Sequence, residues 1–192
     1  MINTESFEFE SVYHVFSHVN GKELIFREET NYQFFLKQLD KYIIQIADIY
    51  AYCLLPNHFH LLLRFKNIEG INVEDEHQFL MKNFGNFLNS YAKAFNKKYN
   101  RKGALFLNAV KRKKISDEKY LLKVLHCIHN NPINHGFVNK VDQWKHSSYN
   151  SYLNLEKESK LNRMEIMQYF DSLDVFKNYH QSNVEYDFLN LE

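Results

Sequence analysis

The sequence predicts an α+β layered domain with a mixed or antiparallel sheet. Three observations carry this. Short apolar, β-favouring runs lie near residues 7–19, 49–55 and 58–65. Between and after them come two long stretches with apolar residues at three- and four-residue spacing. The 45% apolar fraction of a 192-residue chain is enough for one full core. Alternation of strands with helices is the pattern of a layered sheet with packed helices.

Each element has its own signal. Phe7 to Val19 reads as the first strand, with Val12, Tyr13, Val15 and Phe16 favouring a pleated surface. Asn20-Gly21 is a turn signal. From Glu28 to Asp48, the residues Phe35, Leu39, Tyr42, Ile43 and Ile46 mark a helix face. Ile49 to Leu55 and His58 to Phe65 read as two strands joined by a tight Pro56-Asn57 corner. Asp75 to Tyr99 is a second helix with a core stripe of Leu80, Phe84, Phe87, Leu88, Tyr91 and Phe95. Gly103 closes that unit, and Ala104 to Lys114 gives one or two short strands. Ser116 is the expected N-cap of a third helix, with Asp117 and Glu118 opposing the helix dipole in its first turn. That helix is expected to stop before Pro132, since the residue before a proline avoids the helical region. Helical spacing returns at Leu161 to Phe170 and at Leu173, Val175, Phe176 and Tyr179. No internal repeat or low-complexity stretch interrupts the chain.

The chemistry concentrates at LLPNHFHLLLRF, residues 54–65. Alternate residues of a strand share a face, so His58 and His60 point the same way and Phe59 points into a core. Two neutral imidazoles on a rigid strand form a two-point site for a first-row divalent metal. Charge is also unevenly placed. Residues 93–114 hold nine basic side chains and no acidic one, while the other 170 residues hold 15 basic and 23 acidic. Cations interleaved with Phe95, Tyr99 and Phe106 suit a nucleic-acid groove. Two cysteines, Cys53 and Cys127, make no disulfide framework and suit a reducing compartment. The opening MINTESFEFE is unlike a signal peptide, and no apolar run approaches the roughly 18 residues of a membrane span. The expectation is a cytoplasmic protein with no membrane partner.

LLPNHFHLLL resembles the HUH signature, two His around one apolar residue, of the single-tyrosine transposases. VYHVFSHVNGKELIFRE is similar to that family's first strand and following loop. KGALFLNAVKRKKISDEKYLLKVLHCIHNNPINHGFV, followed by WKHSSYNSY, is similar to the block carrying its nucleophilic tyrosine. The REP-associated branch is the nearest in pattern. The resemblance covers roughly residues 10–152 and implies a ferredoxin-like core with a mostly antiparallel sheet over residues 1–152. Residues 153–192, with eight acids and four bases, lie beyond the resemblance and are expected to form an acidic helical extension of the same unit, which would either cover the core or compete with DNA for the basic groove.

The resemblance also implies a reaction. Tyr120 matches the nucleophile, and His58 and His60 match the ligands of Mg or Mn. Cleavage and rejoining of single-stranded DNA through a 5′-phosphotyrosine is the implied activity. The alternative is a domesticated hairpin-DNA-binding protein with little or no cleavage. Single-stranded or hairpin DNA is the expected partner, and the protein acts as a monomer or homodimer. A divalent metal prefers more ligands than two, and the family's extra position, one turn after the tyrosine, is Val124 here. His14, His126 and His129 are the candidates for a third ligand. A second departure is Leu105-Phe106-Leu107-Asn108-Ala109 where the family carries Gln and Arg. Arg101, Lys102, Lys111, Arg112, Lys113 and Lys114 are the candidate DNA contacts. On a strand, Lys111 and Lys113 share one face, and Arg112 and Lys114 the other.

Overall fold

A computed structural model describes residues 5–19, 23–68, 75–106 and 110–186. The expected turn at Asn20-Gly21 and the departures at Leu107, Asn108 and Ala109 lie outside the described residues. The order of elements is β1 (Val12–His18), α1 (Glu29–Tyr42), β2 (Ala47–Leu55), β3 (His58–Phe65), α2 (Glu76–Lys98), β4 (Lys111–Lys114) and α3 (Glu118–Asn134). A 3-10 turn (Val141–Gln143) and short helices α4 (Tyr149–Tyr152), α5 (Arg163–Met167) and α6 (Leu173–Gln181) follow. The sheet order is β2-β3-β1-β4, with every neighbouring pair antiparallel. β3 therefore lies between β1 and β2, which are joined through α1, as in a ferredoxin-like split βαβ arrangement.

Strand alternation builds two cores. Phe59, Leu61, Leu63 and Phe65 of β3, with Tyr13 and Val15 of β1, face α1 and α2 and meet Phe35, Leu39, Leu80, Phe84, Phe87 and Tyr91. The helix stripes read from the sequence are the ones that pack here. On the other face, Leu62 joins Ala51, Cys53 and Leu55 of β2 against Leu121, Val124, Leu125 and Ile128 of α3. Ile166, Phe170 and Phe176 from α5, α6 and the turn between them complete this second core. Backbone bonds also tie this segment to β2: Ser148 N donates to Tyr52 O and Asn162 N to Ile49 O, both at 2.9 Å, and Leu54 N donates to His146 O at 3.0 Å. Glu165 of α5 accepts from Tyr50 Oη at 2.7 Å and pairs with Arg64 at 2.8 Å.

Several boundaries differ from the sequence reading. β1 starts at Val12, because Phe7 is drawn into the core beside Tyr13 and Phe65 instead of extending the strand. α1 ends at Tyr42, and Ile46 lies in the turn before β2. Asp117, not Ser116, caps α3: its carboxylate accepts from Tyr120 N at 2.8 Å. α3 also continues through Pro132 to Asn134. A proline in the last turn gives up only its own bond to the carbonyl four residues back, and the end is then closed by other means. Gly136, at φ +71°, donates to Ile133 O, and Phe137 donates to Pro132 O, both at 2.9 Å. Only a residue that accepts the left-handed region closes a helix this way without strain.

Candidate functional site

The face of β3 that carries His58 and His60 is the face covered by α3. Both imidazoles are deeply buried, each 2% exposed. Their ring centroids are 5.2 Å apart and nearly perpendicular. Asn57, in the corner before β3, sets the state of the first ring. Its side-chain oxygen accepts from His58 Nδ1 at 2.7 Å. An oxygen acceptor there requires the proton on Nδ1, so Nε2 carries the lone pair, the state a metal ligand needs. Beyond Nε2, at 3.4 Å, lies Oδ1 of Asn131 on α3.

His60 is held from β1. Its Nδ1 lies 2.9 Å from Nε2 of His14, with the two rings 5.1 Å apart and 16° from parallel. Phe16 stacks beside both. His14 is fully buried, and desolvation pushes its pKa down to about 3, so it is neutral. One ring of the pair donates and the other accepts. The second nitrogen of His14, Nδ1, is buried without a hydrogen-bond partner among the described residues.

Tyr120 stands in the first turn of α3 and is half-buried against the second core. Burial chiefly raises its pKa above the ordinary phenol value, and Glu5, Cys127 and Asp117 add to the effect in that order. Tyr120, Val124, Cys127 and Asn131 form one stripe of the helix. Tyr120 and Asn131 are eleven residues apart, which at about 100° per residue is within roughly 20° of three full turns. The same count separates them by about 16 Å along the axis. The tyrosine and the amide beside His58 therefore share one side of α3 but sit at opposite ends of it.

His126 and His129 turn elsewhere. His129 bonds to His180 Nε2 and Ser148 Oγ, both at 2.8 Å. His126 meets Tyr186 Oη at 2.6 Å and Ser182 O at 3.1 Å. These two histidines hold the C-terminal elements on α3, while His14 alone of the three candidates reaches the His58–His60 pair. Among the described residues no group of three or more His, Cys, Asp or Glu is placed to hold a metal. Two neutral imidazoles still suit a divalent ion, with remaining positions filled by oxygen donors of other kinds.

The basic run divides as strand alternation requires. Lys111 and Lys113 lie opposite Phe16 and His14 in the β1–β4 register, on the face of the histidine pair. Lys111 Nζ sits over the Phe16 ring at 5.8 Å. Arg112 goes to the other face, where it is buried over Phe7 at 4.8 Å and bonds to Glu5 O and His77. Lys114 pairs with Glu8 at 2.6 Å, and Lys113 lies 3.7 Å from Glu5. Arg101 is bound by Glu23 and by the carbonyls of Gly103 and Ala104, clamping the turn after α2. Lys102 is exposed.

No family model matches the sequence. A protein of Haemophilus influenzae named "Putative REP-associated tyrosine transposase" is 32% identical over 102 residues. The match spans 52% of this chain and 57% of that protein, so the chain covers little more than half of its curated relative. The solved structure of a REP-associated tyrosine transposase bound to a REP hairpin matches in fold, with a TM-score of 0.60 over 81% of this chain and 87% of that one, at 17% identity. The likeness is one of fold, and in this chain that fold is the α+β domain around an antiparallel sheet described above. No helix among the described residues is long and apolar enough to cross a membrane.

Asn57 and Asn131 are the contacts that the sequence reading missed. The signal for Asn131 is present in the stripe that starts at Tyr120. With the helix expected to stop before Pro132, Asn131-Pro132 reads as a structural helix end.

Proposed function

We propose that this chain binds single-stranded DNA bearing a hairpin and cleaves and rejoins it through Tyr120. The observation that carries the reading is the common side of α3 shared by Tyr120 and Asn131, the latter against His58. A nucleophile's helix and a histidine pair on one sheet face are the parts that such a reaction needs. Tyr120 would attack a phosphorus, forming a 5′-phosphotyrosine and releasing a 3′-hydroxyl. The reverse attack by a 3′-hydroxyl restores the phosphodiester and frees the phenol, so rejoining needs no ATP.

His58 and His60 are the residues to hold Mg or Mn, through the nitrogens turned from Asn57 and His14. A divalent ion so held would supply Lewis-acid polarisation of a phosphate oxygen. The remaining work falls to the chain. Lys111 and Lys113, on the same face, suit backbone phosphates. The raised pKa of Tyr120 keeps its proton on at neutral pH, so attack requires removal of that proton as the phosphate arrives.

A second reading keeps hairpin binding without cleavage. Its support is the burial of His58 and His60 and the depth at which Tyr120 holds its proton. One assay separates the two. The protein is incubated with hairpin oligonucleotides carrying single-stranded flanks, with and without manganese. A denaturing gel that shows a metal-dependent protein–DNA adduct supports cleavage. A native shift with no adduct selects the binding protein. Neither shift nor adduct rejects both.

A further inference from the structure

We propose that the acidic segment before β1, residues 5–9, limits how tightly β4 grips a DNA backbone, by holding Glu5 and Glu8 against the cations of that strand. This rests on the DNA reading above and names a brake built into it. The segment is not itself a strand, and it lies along β4, the outer strand of the sheet. An outer strand carries backbone N–H groups with no neighbouring strand to accept them. Here Lys114 N donates to a carboxylate oxygen of Glu5, and Arg112 Nε donates to the Glu5 carbonyl oxygen. Lys113 Nζ lies 3.7 Å from the other carboxylate oxygen of Glu5, and Lys114 Nζ lies 2.6 Å from Glu8. Three successive cations of β4 are thus met from one short acidic stretch. Lys111, at the start of β4, has no carboxylate partner among the described residues, so the brake covers only part of the strand.

The core, not the ion pairs, fixes these charges in place. Exposed pairs of this kind are weak one by one. Phe7, between the two acids, is buried, stacked on Phe84 and edge-on to Tyr13 and Phe65. Hydrogen bonds hold the backbone around it. Phe7 N donates to His77 Nδ1 at 3.0 Å, Phe9 N to Glu76 at 2.7 Å, and Tyr13 Oη to Ser6 O at 2.7 Å. An arriving phosphate therefore meets carboxylates that stay where they are. Each cation beside one loses part of its attraction for the phosphate.

Glu5 acts in the same sense on the nucleophile. After burial, it is the next cause of the raised pKa of Tyr120. One negative charge opposes an arriving phosphate and a forming phenolate alike. A reaction that cuts one strand and joins another has to let strands exchange, and a restrained grip beside the nucleophile permits that.

The test measures binding of a fluorescent unstructured oligonucleotide, and of a hairpin with single-stranded flanks, by anisotropy across a salt series. Gln keeps an oxygen for Lys114 N, so Glu5→Gln with Glu8→Gln should leave the segment docked, and thermal melting checks this. The double variant should bind both DNAs more tightly at low salt. Its log affinity should fall more steeply with log salt, by about 0.7 for each cation released. Glu8→Gln alone, at an exposed side chain, should give about half of that change even if Glu5→Gln unseats the segment. Adding Lys114→Gln to Glu8→Gln should remove the gain, whereas Lys114→Gln in the wild type changes little. Glu156→Gln with Glu158→Gln alters net charge equally, in the exposed loop before α5 that leads to β2 at the opposite edge of the sheet. That variant should bind as the wild type does. Unchanged affinity and slope in the Glu5 and Glu8 variants, with DNA still bound by the wild type, overturns the proposal and leaves the DNA reading standing. An equal gain in the Glu156 and Glu158 variant also overturns it, because net charge alone then accounts for the effect. A wild type that binds neither DNA at low salt removes the DNA reading and the brake with it.

Discussion

Two buried groups of histidines sit on opposite sides of α3's business, and they are chemically unlike. His126, His129 and His180 join α3 to the C-terminal elements. Their bonds run to one another, to Ser148, to Ser182, to Tyr186 and to Phe176 O. His14, His58 and His60 lie on the sheet. There His14 Nδ1 is buried with no hydrogen-bond partner among the described residues, while His58 meets Asn57 at 2.7 Å and Asn131 at 3.4 Å. Buried polar groups in a purely structural cluster are satisfied. The difference teaches that burial alone does not single out a group of histidines, whereas an unpaired buried nitrogen, here His14 Nδ1, does.

The sharpest way to break this comparison is to cross the two groups. His58→Ala or His60→Ala should abolish manganese-dependent cleavage, by about a thousandfold or more if the ion carries the usual share of catalysis. His129→Ala should leave cleavage per folded molecule nearly unchanged and lower stability by about 2–4 kcal/mol, through a cavity and the orphaned His180 and Ser148. Denaturant melts read beside a gel assay separate the effects. Equal losses of activity in both groups would erase the distinction. Because His58 and His60 are buried, their alanine variants should also lose some stability, unlike variants of an open strand face.

Acid sharpens the comparison from the structural side. Burial pushes His180 down to about 3 and His129 well below its ordinary value. In the unfolded chain both titrate near 6.5. Between these values the unfolded state binds more protons, so stability is complete above pH 6.5 and falls as pH drops toward 3. Each such histidine adds a slope of up to about 1.4 kcal/mol per pH unit. His180→Gln should flatten the decline of melting temperature over that window. An unchanged slope would show that His180 is not what acid attacks.

The smallest effect concerns the basic strand. Lys111→Gln with Lys113→Gln should weaken binding to all single-stranded sequences alike and reduce the salt slope by about 0.7 for each lost phosphate contact. Lys114→Gln should change little, since Glu8 already pairs with it. Arg112→Gln should cost stability instead, because its guanidinium is packed on Phe7. A larger DNA effect at Lys114 than at Lys111 and Lys113 would move the DNA path to the other side of the sheet.

Much of this was legible in the sequence. The period-two run at 58–65 assigned His58, His60 and Leu62 to one face and Phe59, Leu61 and Leu63 to the other. Alternation along Lys111 to Lys114 sorted the cations into the two pairs observed. The stripes of α1 and α2 gave the first core. What failed depended on contacts between distant segments. Phe7 leaves the strand because Tyr13, Phe65 and Phe84 surround it. Arg112 is structural because Glu5 and His77, far away in sequence, meet it. Pro132 stays helical because Gly136 and Phe137 close the turn beyond it. The contact of Asn131 with His58 depends on how α3 lies over β3, which no local pattern displays.

The central claim is that Tyr120 is the nucleophile, carried on the side of α3 that meets the histidine pair, and the most direct measurement is to find where DNA attaches. Wild-type protein is incubated with a hairpin oligonucleotide and manganese, denatured, and digested with nuclease and protease. Mass spectrometry then locates the nucleotide-bearing peptide. The account predicts a 5′-nucleotide on Tyr120, and none at any residue in Tyr120→Phe under conditions where that variant still binds the hairpin. A nucleotide on another tyrosine, or a full yield of adduct in Tyr120→Phe, would contradict it.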